Sequence, residues 1–409
     1  MVNPVLTALV ITVASVAAVA SVHAQSASFT VTVVPPVHGT LQLVPALPAD
    51  GKYPAGTTVT LTATPDRGYV LDSVWYSVPG QFGQMYHESM ASGFAVTIDR
   101  DKRIGASFIE EAAVRHVDVT HDVVYAKPGV KPLKYDVFSP KGAKNLPLIV
   151  IIHGGGWTAN DEDILRGLAR ELTRGGRFVV CSMDYRWAGT ADGDTASTTM
   201  ANIIEDVFGG IAHIMEHARQ YGGDPTRIGV TGDSAGGHLS AAASLMPNMI
   251  GSRGFGRTHG VFEFMPSYLP QGKTVEQVRA EMTAAIKAAA PSYGVFRAAR
   301  LNVYTDNPAA DESWKRAVAP LEHIPPAAER AVPQFLVRGT NDRLVLHDDV
   351  QEFLEALVKA GQRAEYIQVG GAGHAFFDWK PDEQTKATFA KYGVYYAAAM
   401  KAFFESVLF

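Results

Sequence analysis

The stretch from Gly232 to Gly236, with the pattern Gly-x-Ser-x-Gly centred on Ser234, constrains this chain more than any other short feature. It follows the apolar run Ile228–Thr231 and precedes a helical run, His238–Leu245, so the chain must reverse from strand to helix within about one residue. Such a reversal forces the serine into a strained backbone conformation, and only glycine fits beside it. The pattern predicts that Ser234 is a nucleophile at a helix N-terminus, where backbone amides favour negative charge.

Beyond Glu110, short apolar strands alternate with helical segments. This order is typical of a mainly parallel sheet with helices on both faces. The predicted strands are Leu148–Ile152, Phe178–Met183, Ile228–Thr231, Phe335–Val337 and Tyr366–Val369. Loops at the carboxyl ends of such strands are where active-site residues collect. We therefore expect a catalytic α/β domain over residues 114–409.

A glycine-rich stretch, His153 to Trp157, follows the first of these strands. Acyl transfer produces a tetrahedral oxyanion, and one preorganised donor aimed at that oxygen contributes about 2.7–4 kcal/mol to catalysis. Glycines allow backbone N–H groups to approach without obstruction by side chains. We predict an oxyanion hole formed by the N–H groups of Gly155, Gly156 and Ala235. Trp157 is expected to line the substrate pocket.

Two residues downstream of the serine complete a predicted triad. Asp342 comes directly after a predicted strand, whereas Asp348 and Asp349 lie at the start of the next helix, where capping explains them better. His374 lies in a glycine-rich loop after the last predicted strand. An imidazole that titrates near neutrality can take the proton of Ser234 and return it to the leaving group. Asp342 would fix the tautomer of that imidazole.

The residue types exclude several other classes of protein. The pattern His-Glu-x-x-His is absent and Cys181 is the single cysteine, in an apolar run where it is predicted to pack, so neither a metal nor another cofactor is expected. The net charge is −5 and no basic run could follow a phosphate backbone, which excludes nucleic acid as a partner. The expected partner is a small-molecule or polymer-linked ester.

The segments that carry this chemistry resemble the acetyl-esterase and hormone-sensitive-lipase relatives, and especially the bacterial feruloyl-esterase-like group. The matching positions are His153–Trp157, Asp184–Arg186, Glu205–Asp206 and Gly232–His238, within a resemblance that covers roughly residues 116–409. It implies the α/β-hydrolase fold, with the triad in the chain order Ser, Asp, His. It also implies structural roles for a set of polar residues, namely His153, Asp184, Arg186, Asp206, Asp233 and His238.

The segment 247–332 departs from this resemblance because it is long. It contains a predicted helix, Val275–Ala289, and an excess of aromatic residues, namely Phe262, Phe264, Tyr268, Tyr293, Phe296, Tyr304 and Trp314. One interpretation is a lid over the pocket. The other is an insertion that packs on the outside of the fold.

Residues 28–110 are rich in Val and Thr and alternate with period two, as in Phe29–Val33 and Thr57–Ala63, which predicts a small antiparallel all-β domain. This part resembles one copy of the divergent bacterial surface-repeat family. The matching positions are Gly39, Gly56–Val59, Leu61–Pro65, Gly68–Tyr69, Trp75 and Ala106–Phe108. The resemblance implies an extracytoplasmic accessory module that could contact a cell surface or polysaccharide. Since every predicted catalytic residue lies beyond Ala113, this module is expected to be dispensable for the chemistry.

The first 24 residues have the character of a signal peptide: they are uncharged from Val5 to Val22 and end in a small-residue pattern at Ala24. A secreted or periplasmic location is therefore expected. The segment Met1–Pro4 lacks the usual Lys or Arg, which leaves an uncleaved membrane anchor as the alternative.

Together, these features predict an exported serine carboxylic-ester hydrolase that works through an acyl-enzyme. Short-chain, acetyl or hydroxycinnamoyl esters are the expected substrates. The alternatives are an arylformamidase-like amidohydrolase, a polyester hydrolase and a catalytically inactive surface-binding protein.

Overall fold

The computed structural model describes residues 27–80, 83–301 and 312–409. The predicted signal peptide, residues 1–24, lies outside this range, as does Tyr304. Among the helices of the described ranges, none combines the length and the apolar character that a membrane crossing needs.

The N-terminal part, residues 28–110, is called the β domain below. Its strands are β1 (Ser28–Val33), β2 (Gly39–Val44), β3 (Lys52–Pro54), β4 (Thr57–Pro65), β5 (Tyr69–Gly80), β6 (Gly83–Ser89), β7 (Phe94–Ile98) and β8 (Lys102–Glu110). They form a five-stranded sheet in the order β3-β1-β8-β5-β6 and a three-stranded sheet in the order β2-β4-β7. Val59, Leu61 and Ala63 on alternate positions of β4 are buried, so period two places one face of this strand in the core.

The prediction of an antiparallel β domain is wrong for one pair of strands. β1 runs parallel to β8, with Val31 opposite Lys102 and Val33 opposite Ile104. Parallel neighbours need a long crossover connection, and the strands β2 to β7 lie between the two in the chain. Alternation of apolar and polar residues is the same in both kinds of pair, so the pattern carries no information on strand direction.

The C-terminal part, residues 114–409, is the predicted catalytic domain and keeps that name below. It is built on an eight-stranded sheet in the order β16-β15-β14-β13-β11-β12-β10-β9. Its strands are β9 (Val117–Ala126), β10 (Leu133–Pro140), β11 (Leu146–Ile152), β12 (Val179–Met183), β13 (Gly223–Asp233), β14 (Ile286–Ser292), β15 (Gln334–Gly339) and β16 (Ala364–Val369). The strands β11 to β16 pair in parallel, whereas β10 pairs antiparallel with β9 and β12. The buried faces explain why β11 is apolar throughout and why β12 is apolar except for Ser182, whose hydroxyl donates to the carbonyl oxygen of Glu162.

The helices are α1 (Glu111–Val114), α2 (Arg166–Thr173), α3 (Met200–His217), α4 (Ala235–Leu245), α5 (Val275–Ala285), α6 (Ala298–Leu301), α7 (Glu312–Ala317), α8 (His347–Lys359), α9 (Glu383–Thr388) and α10 (Val394–Leu408). Single turns of other helix types span Ala218–Tyr221, Pro247–Met249, Pro320–His323 and Phe389–Gly393. The prediction of a mainly parallel sheet covered by helices, preceded by an all-β region, is confirmed.

The predicted helix Val275–Ala289 is wrong in its last part. The helix α5 ends at Ala285, and the next residues form β14, between β13 and β15 in the sheet. This strand is rich in alanine, the residue with the highest helix propensity, and burial within the sheet overrides that local preference. Because β14 belongs to the central sheet, the segment 247–332 is not one continuous lid or insertion.

The two domains share part of their interior. Met90, which follows β6, packs in the hydrophobic core of the catalytic domain rather than in the smaller core of the β domain.

Candidate active site

Ser234 occupies a sharp turn between the end of β13 and the start of α4. Its backbone has φ 53° and ψ −113°, a conformation that L-residues rarely adopt. The N–H of Ser234 donates to the carbonyl oxygen of Ser292 at 2.9 Å. A Cβ on Gly236 would lie 1.9 Å from the carbonyl oxygen of Ile152, and one on Gly232 would lie 2.3 Å from the same atom. Both glycines are therefore required by the close approach of β11.

The structure brings Ser234, His374 and Asp342 into one chain of hydrogen bonds. The distance from His374 Nε2 to Ser234 Oγ is 2.9 Å, and the distance from His374 Nδ1 to Asp342 Oδ2 is 2.8 Å. An ionised carboxylate only accepts, so the proton of a neutral imidazole is assigned to Nδ1. The lone pair of Nε2 then faces the serine hydroxyl and can accept its proton.

Asp342 is held in place by its second oxygen. Oδ1 accepts from the backbone N–H groups of Leu344 at 2.9 Å and Val345 at 3.0 Å. Burial acts to raise the pKa of this carboxyl, but the hydrogen bond and charge of His374, together with the two backbone donors, bring the pKa below its usual value. Asp342 is thus suited to remain a carboxylate.

The other two acids considered for this role are placed differently. Asp348 is exposed in the first turn of α8. Asp349, also in that turn, makes ion pairs with Arg297 and Arg300 and accepts from the N–H of Leu346.

Tyr293 contacts His374, whereas the sequence indicated it only as one of the aromatic residues of the segment 247–332. Its ring centroid is 4.7 Å from that of His374, and the side chain is buried. It directly follows β14 and has φ 34°. Recognition of β14 as a strand would have placed Tyr293 at the same sheet edge as Ser234 and drawn attention to it.

The glycine loop after β11, which is predicted to supply oxyanion donors, has a left-handed backbone at two positions. Gly155 has φ 116° and Gly156 has φ 61°. A Cβ on Gly155 would lie 2.1 Å from the carbonyl oxygen of Ala159, whereas one on Gly156 would meet nothing within 4 Å. The third predicted donor, the N–H of Ala235, lies at the first residue of α4, next to Ser234.

Asp233 connects this loop to the turn that carries the serine. Its Oδ1 accepts from the N–H of Gly154 at 2.6 Å. Burial, assisted by the charge of Asp378, raises the pKa of Asp233 to about 7. This position fits the orienting role that the sequence suggested.

The residues expected to be structural make hydrogen bonds, ion pairs and ring stacking with one another. His153 Nε2 lies 3.1 Å from Asp184 Oδ1, and the His153 ring stacks on Tyr185 with centroids 4.2 Å apart. Arg186 donates to both carboxylate oxygens of Asp206, at 2.8 and 2.9 Å.

The structure does not place Trp157 on an open pocket wall. Its side chain is 2% exposed, and the indole N–H donates to His238 Nδ1 at 3.3 Å. His238 Nε2 lies 2.9 Å from the carbonyl oxygen of Val318, to which it donates in the matching tautomer. The indole of Trp157 is thus packed in the core beside His238, and its predicted contact with substrate stays a prediction.

A cavity of about 620 Å³ lies between the start of α3 and the loop before α5. Its lining includes Arg186, Asn202, Glu205, Phe255 and Trp314, but neither Ser234 nor His374. This cavity is not where the serine would attack a substrate.

One group of acids in the described ranges has metal-ligand spacing. Oxygen atoms of Asp122, Asp136 and Glu162 lie within 4.8 Å of one another. The ammonium group of Lys134 already contacts Asp122 and lies 2.9 Å from Glu162, so two of the three acids have a cation within the chain.

Comparison with known proteins gives matches over both domains. The BD-FAE family model matches residues 135–357, and the model of the divergent InlB B-repeat domain matches residues 29–112. The carboxylic ester hydrolase LipN of Mycobacterium tuberculosis is 38% identical over 127 residues, which are 31% of this chain and 31% of LipN. The esterase LipQ of the same organism is 26% identical over 285 residues, which are 64% of this chain and 58% of LipQ. Esterase 2 of Thermogutta terrifontis aligns in structure with a TM-score of 0.49 at 24% identity, over 68% of this chain and 92% of that one. The chain thus spans from about a third to three fifths of the length of these curated relatives.

Proposed function

The chain belongs to the BD-FAE family of α/β-hydrolases, and on that premise we propose that it is a serine carboxylic-ester hydrolase. The observation that carries the proposal is the continuous hydrogen-bonded path from Ser234 through His374 to Asp342. Relatives named as ester hydrolases, LipN and LipQ, support the choice of an ester as substrate.

The first half of the reaction forms an acyl-enzyme. Ser234 Oγ attacks the carbonyl carbon of the ester while His374 Nε2 takes the hydroxyl proton. Asp342 stabilises the imidazolium through Nδ1 without accepting its proton. The N–H groups of Ala235, Gly155 and Gly156 would stabilise the tetrahedral oxyanion. Collapse of this intermediate breaks the bond to the alcohol, which leaves with the proton from His374.

The second half of the reaction repeats these roles with water. His374 Nε2 removes a proton from water, and the hydroxide attacks the acyl carbon. The second intermediate collapses to release the carboxylic acid, and His374 returns the proton to Ser234. The enzyme is thereby restored with no change in oxidation state and no need for a further reactant.

We propose that the preferred acyl part of the substrate is a short chain such as acetyl, or a hydroxycinnamoyl group, rather than a long chain. The cavity of about 620 Å³ that could hold a long chain is not lined by Ser234 or His374. Tyr293 and the neighbouring Phe376, with ring centroids 5.5 Å apart, instead form tight aromatic packing beside His374.

Export from the cell is the second part of the proposal. The uncharged segment from Val5 to Val22 and the match to a divergent InlB B-repeat domain both support it. Mass spectrometry of the mature protein in cell fractions tests it, and an intact N-terminus in the cytoplasm would contradict it.

The test of the hydrolase proposal is covalent labelling by a fluorophosphonate together with hydrolysis of p-nitrophenyl butyrate. We expect Ser234→Ala to lose the label and to retain less than about a hundredth of the native turnover, because the triad acts as a unit. Ser240→Ala is the matched control, since Ser240 lies in the same helix and its hydroxyl donates only locally, to the carbonyl oxygen of Gly237. Native turnover and labelling in Ser234→Ala would refute the assignment.

A further inference from the structure

A cluster of buried charges joins the β domain to the catalytic domain. It consists of Asp72, Ser73 and Glu88 from the β domain and Arg166, Arg170 and Trp379 from the catalytic domain, and is called the interdomain cluster below. Asp72, Ser73 and Arg166 are 0% exposed. Charges so far from water are tolerated only when they are paired and hydrogen-bonded.

Arg166 lies at the centre of this cluster, and its charged partners are in the β domain. Its Nε and Nη2 atoms donate to the two oxygens of Asp72, both at 3.1 Å. Nη2 also lies 2.6 Å from Glu88 Oε2 and 3.2 Å from Ser73 Oγ. This bidentate contact fixes the orientation of the Arg166 guanidinium relative to the Asp72 carboxylate as well as their distance.

Asp72 accepts from two further donors of the catalytic domain. Arg170 Nη1 lies 2.7 Å from Oδ1, and the indole N–H of Trp379 lies 2.9 Å from Oδ2. Burial acts to raise the pKa of Asp72, but the charges of Arg166 and Arg170 hold that pKa well below its usual range. The carboxylate is therefore a permanent acceptor for Trp379.

Trp379 is anchored on several sides. Its backbone N–H donates to the carbonyl oxygen of Ile164 at 3.0 Å. Its ring packs on Gly167 of α2, where an added Cβ would come within 2.8 Å, and meets Phe389 edge-on at 5.2 Å. The indole N–H is the bond that connects this side chain to the β domain.

The connection from Trp379 to the catalytic histidine is short and constrained. Trp379 is the fifth residue after His374, in the same loop. Between them, Ala375 has φ 57° and its carbonyl oxygen accepts from the N–H of Asp378 at 3.3 Å. Phe376 and Phe377 are buried against Tyr293, so a shift of Trp379 cannot be absorbed by a flexible, exposed linker.

We propose that Asp72 of the β domain is a positioning residue for the reaction, which holds Trp379 and through it the loop that carries His374. The inference rests on the proposed ester hydrolysis. It replaces the expectation of a dispensable accessory module, because a carboxylate of that module supports the geometry of the triad.

The variant that isolates this contact is Trp379→Phe, which keeps an aromatic ring and removes the N–H that donates to Asp72. Asp72→Asn is the complementary variant, because its amide nitrogen must face at least one donor that the carboxylate now accepts from. Asp99→Asn is the control, since Asp99 pairs with Lys102 within the β domain, at 2.8 Å. Turnover is measured in the full chain with p-nitrophenyl butyrate and divided by the number of sites that a fluorophosphonate titrates.

We expect kcat per titrated site to fall by about ten- to a hundredfold in both variants, the loss that a displacement on the order of 1 Å can cause. KM should change little, and the double variant should lose no more than the worse single variant, because Asp72→Asn already disturbs the acceptor of the Trp379 N–H. Fewer titratable sites with unchanged kcat per site would show a merely structural role and overturn the proposal. Additive losses would equally overturn it, since Asp72 would then act without Trp379.

A measurement without substrate separates this proposal from the hydrolase assignment. Amide hydrogen exchange over residues 370–379 should accelerate in Trp379→Phe and Asp72→Asn, but not in Asp99→Asn. Failure of the native chain to react with the fluorophosphonate would refute the hydrolase assignment alone. Unchanged exchange in both variants would refute the positioning role, whatever the outcome of the activity assay.

Discussion

The substitution Asp342→Asn tests the role of the acid most directly, because the surroundings of Asp342 determine how an asparagine would be oriented. The present Oδ1 accepts from two backbone N–H groups, those of Leu344 and Val345. The amide oxygen of asparagine must therefore take this place. Its NH2 group then points at His374 Nδ1 and donates to it.

This orientation holds the imidazole in the wrong tautomer. If Nδ1 accepts a hydrogen bond, the single proton of neutral His374 lies on Nε2, which is 2.9 Å from Ser234 Oγ and can no longer take the serine proton. The reverse orientation would leave the two backbone donors facing an NH2 group, at about 1–3 kcal/mol for each unsatisfied donor. The two unsatisfied donors together raise the free energy of the orientation that leaves Nε2 free to accept the serine proton by about 2–6 kcal/mol. Each step of about 1.4 kcal/mol corresponds to a factor of ten in rate. We expect kcat to fall by roughly 30- to 10⁴-fold, the upper figure being that of a triad with a misoriented tautomer.

The assay is kcat for p-nitrophenyl butyrate near pH 8, with the rate of fluorophosphonate labelling as a second readout of the nucleophile. Asp348→Asn is the matched control, since Asp348 is exposed at the start of α8, and it should retain native turnover. A loss smaller than about tenfold in Asp342→Asn would refute this account of tautomer control. A large loss in Asp348→Asn alone would show that the acid had been wrongly chosen.

Three further outcomes follow from the same structure. Burial lowers the pKa of His238 from its usual value near 6.5 to about 4, so its contribution to stability is complete above pH 6.5 and is lost as the pH falls to about 4. Urea unfolding at pH 7 and pH 4.5 should show part of a total loss of about 3 kcal/mol, and His238→Gln should reduce this pH dependence. Gly155→Ala should lower kcat by about 10²-fold or more, because the new Cβ would meet the carbonyl oxygen of Ala159. Gly142→Ala is the control, since Gly142 also has a positive φ but its added Cβ would meet nothing, and kcat should stay unchanged. The ratio kcat/KM should be higher for p-nitrophenyl butyrate than for the palmitate ester, and a preference for palmitate would contradict the short-acyl assignment.

The strands that a sequence can reveal are those whose own composition agrees with their place in the sheet. The residues of β11 are apolar from Leu146 to Ile152, and both resemblances stated from the sequence are confirmed by the family matches. β14 lacks this agreement, because Ala288, Ala289 and Ala290 favour helix and are strand only through burial in the sheet. The local pattern therefore failed where packing, not propensity, determined the conformation.

The same distinction separates the parts of the candidate site. Ser234 and the glycines beside it can be recognised from a short stretch of sequence. The backbone of Ser234 is strained at φ 53°, and the carbonyl oxygen of Ile152 approaches Gly232 and Gly236 too closely for a side chain at either position. Trp157 shows the limit of this signal, because a position next to the loop does not determine the direction of a side chain. Its indole turns inward to His238, which lies 81 residues away in the chain.

The contact between Asp72 and Arg166 spans 94 residues, and nothing local marks either residue as buried. An aspartate in a β-strand and an arginine in a helix are ordinary surface residues in sequence, so the β domain looked separable. In the structure, the remaining acceptors of Arg166 are the carbonyl oxygens of Asp163 and Trp379, and neither carries a charge to balance a guanidinium that is 0% exposed. Breaking a buried pair by removal of one partner costs about 3–5 kcal/mol, a large part of the 5–15 kcal/mol that is typical of whole proteins. The β domain therefore supplies the carboxylates that balance the buried charge of Arg166. The two units are separate in sequence, but the stability of one depends on the other.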